Sequence, residues 1–177
     1  GYLHDIQSDF DIAEQHYLKA LKAFEESDDE KGQGKMLYAI ALINEERGRV
    51  QVAIDYFNKS LRLAEASGDS TGLTHLSMSL GDIHSSLSNK EEAMDHYKRA
   101  LQLAKGTGDK RLEGFASTTL ATMYLYQEDY EQARELSLKG IQLLDEAKAG
   151  ADKINGLDVL GRIAAKQGQL DSAEMYV

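Results

Sequence analysis

The feature that most restricts this chain is a register of 40 residues that repeats without slipping. Ala13, Ala53, Ala93, Ala133 and Ala173 share one position of it. Four residues further on stand Tyr17, Phe57, Tyr97 and Ser137, and then Ala20, Ser60, Ala100 and Gly140. Each of these last is followed by Leu21, Leu61, Leu101 or Ile141. On the preceding segment Ile40, Leu80, Leu120 and Leu160 align, each followed by a small residue: Ala41, Gly81, Ala121 and Gly161. Three positions later lie Asn44, His84, Tyr124 and Ala164. A fixed internal period of this length is the mark of a repeat architecture.

Within each period the apolar positions are four, seven and eight apart, which is one stripe of an α-helix. A short polar break divides the period, as in Arg47-Gly48-Arg49, Leu87-Ser88-Asn89, Gln127-Glu128-Asp129 and Gln167-Gly168-Gln169. So short a break permits only antiparallel neighbours, and each unit is therefore a helical hairpin. Proline is absent, so the stops between units fall to Ser67-Gly68-Asp69-Ser70 and Thr107-Gly108-Asp109-Lys110. There the glycine suits a left-handed C-cap and the aspartate or serine the next N-cap. One hairpin cannot bury its apolar face alone, so the units must stack. The expected fold is all-α, a right-handed solenoid of antiparallel hairpins with helices of roughly 16 residues. Its boundaries are a partial repeat at 1–29, repeats at 30–69, 70–109 and 110–149, and a partial repeat at 150–177. Gly1 stands where the first helix of a repeat is half over and Val177 where a helix has only begun, which implies a piece of a longer protein. The repeat at 110–149 reads as the loosest, with Ser137 and Gly140 at positions held elsewhere by larger residues.

These residues resemble the tetratricopeptide repeat, a pattern of Trp, then Leu-Gly and Tyr, then Ala, Phe, Ala and Pro. The clearest unit is Leu80-Gly81-x₂-His84 followed by Ala93-x₃-Tyr97-x₂-Ala100-Leu101. The Trp position is taken by Leu37, Ser77, Ser117 and Leu157. The longer period and its Gly-Asp junctions are similar to those of LGN/Pins, Rap and MalT-type arrays. The resemblance implies that first helices line a concave groove that takes extended or helical peptides. Carried over unit by unit, that groove holds Tyr38, Leu42 and Glu45, then His75, Met78, Ser79 and Asp82. Phe115, Thr118, Thr119, Thr122 and Tyr126 follow, and then Asn155, Asp158 and Arg162. Lys35 and Lys166 are flanking members. Hydroxyls in the middle of this set suit contact with a peptide backbone, and Tyr38, Phe115 and Tyr126 suit apolar anchoring. The chaperone-type carboxylate clamp is absent, because its places hold Tyr38, Leu42, Ser79, Phe115 and Thr119. The Leu-Gly-Asn signature of LGN also fails, because Leu42, Asp82, Thr122 and Arg162 occupy its Asn position.

Charge and composition narrow the function. A net charge of -10 disfavours nucleic acid and anionic membrane surfaces, leaving a basic or neutral protein or peptide as partner. No apolar run approaches the ~20 residues of a membrane-spanning helix. Cysteine is absent, which excludes thiolate metal sites and fits a reducing, cytoplasmic setting. His16 and His96 share one register position and His4 and His84 another, which explains them without a metal. The acidic pairs Glu25-Glu26, Glu45-Glu46 and Glu91-Glu92 are adjacent on helices and so do not face one another. No catalytic constellation and no cofactor motif emerges, so the expectation is an interaction module and not an enzyme. Two alternatives stay open: a sensory region of a larger signalling protein, and a scaffold that self-associates through uncapped ends.

Overall fold

The computed structural model describes residues 2–168. They form eight α-helices and one 3-10 turn, with no strand among the described residues. Helix α1 spans Tyr2–Glu26, α2 Glu30–Glu46, α3 Val50–Ser67 and α4 Ser70–Ser86. Then come α5 at Lys90–Thr107, α6 at Lys110–Tyr126, α7 at Tyr130–Glu146 and α8 at Ile154–Lys166. The 3-10 turn occupies Gly150–Lys153. Helices α2 to α7 are 17 or 18 residues long, close to the length expected from the period.

The turns explain how helices of this length can stop without proline. Residues 28, 48, 68, 88, 108, 128, 148 and 168 all have positive φ, so the chain turns through the left-handed region every 20 residues. Four are glycine, for which that conformation carries no steric cost. The others, Asp28, Ser88, Glu128 and Lys148, adopt it with φ between 52 and 63°. At the second turn Gly48 N–H donates to the Glu45 carbonyl and Arg49 N–H to the Asn44 carbonyl. Bonds of this kind close the orphan carbonyls at a helix end. Four of the helices that follow such turns start under a carboxylate. Asp29, Asp69, Asp109 and Asp129 accept from the amides of Gly32, Gly72, Leu112 and Gln132 at 2.9 to 3.2 Å.

Two elements depart from the strict period. The register places a turn at residues 7–9, yet α1 runs helically from Tyr2 to Glu26. At the other departure, Lys148 takes the left-handed place of Gly68 and Gly108, but Ala149 stands where Asp69 and Asp109 cap. At this junction the chain tightens into the 3-10 turn, and α8 begins only at Ile154. Arg111 holds that turn through Asp152 at 2.6 Å, and Lys153 does so through Asp145 at 2.6 Å.

The chain forms two compact units, Gly1–Ile83 and His84–Val177. In the first, Leu21, Leu37 and Ile40 pack with Tyr17, Met36, Tyr56 and Leu63. Phe57 is fully buried and its ring lies 5.5 Å from that of Tyr38. An ion cluster around a buried guanidinium ties α1 to α2: Arg47, with its side chain 7 % exposed, pairs with the exposed Asp11 and, at 2.8 Å, with Glu14. Glu14 also accepts from the Asn44 amide at 3.1 Å.

In the second unit Ala121, Leu125, Ala133, Val159 and Ile163 form the core, flanked by Tyr124, Tyr130 and Leu136. Here Gly114 and Gly140 face each other across α6 and α7. A Cβ on Gly140 would lie 2.8 Å from the Gly114 carbonyl oxygen and 2.6 Å from Thr118 Cγ2. A Cβ on Gly114 would in turn lie 2.9 Å from the Gly140 carbonyl oxygen. Two facing glycines bring the backbones of α6 and α7 together, so Gly140 marks a close approach and not a gap.

Candidate functional site

On α2 the residues Lys31, Lys35, Tyr38, Leu42 and Glu45 recur at intervals of four and three, which puts them in one stripe. On α4 the matching stripe is Thr71, His75, Ser79 and Asp82. The two stripes meet within the first unit, where the Tyr38 and Ser79 hydroxyls share a hydrogen bond of 3.0 Å. Beside that bond, between α2, the end of α3 and the start of α4, is a cavity of about 270 Å³. Lys31, Gly34, Lys35, Tyr38, His75 and Leu76 are among its lining residues. Gly34 leaves the space open because it adds no side chain there, and Ser60 Oγ donates to its carbonyl at 2.7 Å.

Beyond Tyr38 the stripe turns acidic. Burial holds the half-buried Glu45 carboxyl above its ordinary value, and the charges of Asp82 and Glu46 push it further. Burial also raises the Tyr38 phenol, against the lowering effect of its bond to Ser79, and Asp82 and Glu45 add to the rise. Burial is the larger cause of both shifts, and the neighbouring carboxylates add to it. Five residues named from the sequence, Tyr38, Glu45, His75, Ser79 and Asp82, are thus brought together. Leu42 lies on the same stripe and is exposed, whereas Met78 is almost wholly buried.

In the second unit the named residues divide. Phe115 and Tyr126 are exposed, Tyr126 to 58 %. Thr118 is not available on the surface. Its side chain is fully buried, with Cγ2 close under Gly140 and Gly156, so it belongs to the interior and not to a groove. The neighbouring hydroxyls are also committed: Thr119 donates to the Phe115 carbonyl at 3.0 Å and Thr122 to the Thr118 carbonyl at 3.2 Å. Towards a partner these two offer acceptor lone pairs. At the C-terminal end of α6, the Arg162 guanidinium stands 5.2 Å over the Tyr126 ring and 3.5 Å from Asp158. A cavity of about 180 Å³ opens there between Tyr126, Tyr130, Arg162 and Lys166. Asn155 and Asp158 are exposed on α8.

Two associations escape sequence comparison. The register aligns His84 with His4 and His96 with His16, whereas in the fold His84 and His96 stack with centroids 5.2 Å apart. Burial lowers the His96 pKa, His84 and Arg99 lower it further, and Asp95 opposes them. His4 lies outside the side chains described. The other is Lys31, whose spacing from Lys35 and Tyr38 was the available signal. Among the described residues no group of three or more His, Asp or Glu is placed to hold a metal ion. None of their helices is long and apolar enough to cross a membrane.

The family pattern of the tetratricopeptide repeat matches residues 1–66 and, overlapping them, 33–106. This chain belongs to the tetratricopeptide-repeat family. Solved structures extend the likeness to the rest of the chain. BtubC from P. vanneervenii shares 20 % identity at a TM-score of 0.83, over 99 % of this chain and 73 % of its own. A Rap protein complexed with Competence and Sporulation Factor shares 17 % identity at 0.76, over 99 % of this chain and 49 % of its own. NprR, solved with its cognate peptide NprX, shares 18 % at 0.70, over 96 % and 49 %. The chain thus spans about half the length of the last two. No curated protein matches it in sequence. At these identities the likenesses establish the fold, a tetratricopeptide-type α-solenoid of antiparallel hairpins.

Proposed function

We propose that this tetratricopeptide-repeat chain is a non-catalytic interaction module that captures a peptide or partner segment on the faces of its first helices. The observation that carries the reading is the convergence on the α2–α4 face. Tyr38 and His75 line an open cavity of about 270 Å³, Ser79 shares a hydrogen bond with Tyr38, and Glu45 and Asp82 lie further along the same face. Concave, largely apolar spaces with a few convergent polar groups are where ligands bind. The likeness to NprR, a protein solved with a peptide, supports the same mode.

The test is a displayed library of random 12-residue peptides selected on the 177-residue chain, with Thr119→Arg plus Thr122→Arg and, separately, Tyr38→Ala as blocked controls. Peptides that bind the parent and are lost in either folded control support the reading. Peptides that keep full affinity for both controls, or the absence of any enriched peptide, overturn it.

A further inference from the structure

Along α2 the charges of the exposed stripe are segregated. Lys31 and Lys35 line the cavity together with Glu30 and Asp69, of which Asp69 caps α4 through Gly72, and among the described residues neither lysine has a carboxylate partner. Tyr38 stands in the middle, with the cavity beside it. Glu45, on the same stripe, and Asp82, opposite on α4, form the other pole. The order on one face is therefore cationic, apolar, anionic.

The arrangement is electrostatically costly as it stands. Two ammonium groups one helical turn apart repel, and Asp82 acts on the Glu45 carboxyl in the same sense. Glu45 is held above its ordinary pKa by burial and by Asp82, which is how an uncompensated carboxylate responds. A ligand of opposite polarity relieves both poles at once. From Lys35 to Glu45 is ten residues, or about 15 Å at 1.5 Å per residue. An extended peptide advances ~3.3 Å per residue, so it covers that span in about five residues.

We propose that the α2–α4 face binds an extended peptide that carries an acidic and a basic residue about five apart, with one large apolar side chain between them. This rests on the interaction reading above and adds the chemistry of the partner. The acidic residue sits between Lys31 and Lys35, the apolar side chain fills the cavity beside Tyr38 and Leu76, and the basic residue sits between Glu45 and Asp82. Such a motif is close to neutral overall, which reconciles binding with a chain whose own net charge is -10.

The same 12-residue library is selected on the parent and on Lys31→Glu plus Lys35→Glu, both exposed positions where a charge change leaves packing intact. The parent is expected to enrich the acidic–apolar–basic motif. The variant is expected to bind those peptides at least tenfold more weakly, and to recover affinity when the peptide's acidic residue is replaced by lysine. Glu45→Lys should show the converse preference at the basic position. Motifs that lack this charge order overturn the inference, as do peptides indifferent to all three substitutions. If such peptides are still lost in the Thr119→Arg plus Thr122→Arg control, the interaction reading stands and only the assigned chemistry falls.

Discussion

Replacing Gly140 by alanine sets two rules of protein stability against each other. Ala20, Ser60 and Ala100 occupy the equivalent register position, so the chain's own consensus favours alanine. Helix propensity agrees, since glycine inside a helix costs about 1 kcal/mol relative to alanine. Packing says the opposite. The new Cβ would sit 2.6 Å from Thr118 Cγ2, 2.8 Å from the Gly114 carbonyl oxygen and 3.2 Å from the Thr118 amide nitrogen. Favourable contact begins near 3.5 Å, so α6 and α7 must separate by several tenths of an ångström. Two of the three obstacles are backbone and cannot rotate away. Overpacking of this kind costs about 1–3 kcal/mol, and more where backbone is in the way. After the propensity gain is subtracted, a net loss of about 1–2 kcal/mol remains. Gly106→Ala is the matched control. Gly106 lies in α5 with open space around its Cβ position, so only the propensity acts and the variant should gain up to about 1 kcal/mol. Urea titration followed by helical circular dichroism reads both. With a slope of about 2 kcal/mol/M, Gly140→Ala lowers the midpoint by about 0.5–1 M while Gly106→Ala raises it. Equal upward shifts in both variants would refute the close approach of α6 and α7.

Three further outcomes follow from the same structure. Glu128→Gly removes the steric cost of a left-handed, exposed residue and should raise the thermal midpoint, by about 1 kcal/mol of stability; an unchanged or lowered midpoint would count against it. Glu14→Ala leaves the Arg47 charge buried with Asp11 as its remaining partner, and urea titration should show a loss of about 2 kcal/mol. For Glu45 the folded pKa lies above the ordinary 4.5, so the folded state binds a proton more readily than the unfolded one. Its contribution to stability therefore falls as pH rises through the folded pKa and is restored on acidification. Glu45→Gln should accordingly stabilise at pH ~7 and lose that advantage as pH drops towards its ordinary value, as followed by melting curves across pH.

Much of this architecture was legible from the register alone. Alanine, aromatic and Leu-small positions spaced by 40 residues define paired helices, and Gly-Asp junctions define where they stop, because both effects are local. What escaped reading depends on the third dimension. The joint effect of Gly114 and Gly140 is a property of two facing helices, and neither residue reveals it alone. Thr118 has the composition of a groove residue, yet the missing side chains of Gly140 and Gly156 let the neighbouring helices close over it. The uninterrupted α1 runs straight through a position where the register places a turn. On the functional face, Tyr38, Glu45, His75, Ser79 and Asp82 could be named from the sequence. That Lys31 completes their charge order emerges only once α2 and α4 are set side by side.

The most direct test of the central claim is a titration of the isotopically labelled chain with its most enriched peptide, following backbone amide resonances. Binding on the α2–α4 face predicts shifts concentrated in α2 and α4, with those of Lys35, Tyr38, Ser79 and Asp82 among the largest. Shifts confined to the outer surfaces of α3, α5 and α7 would contradict it.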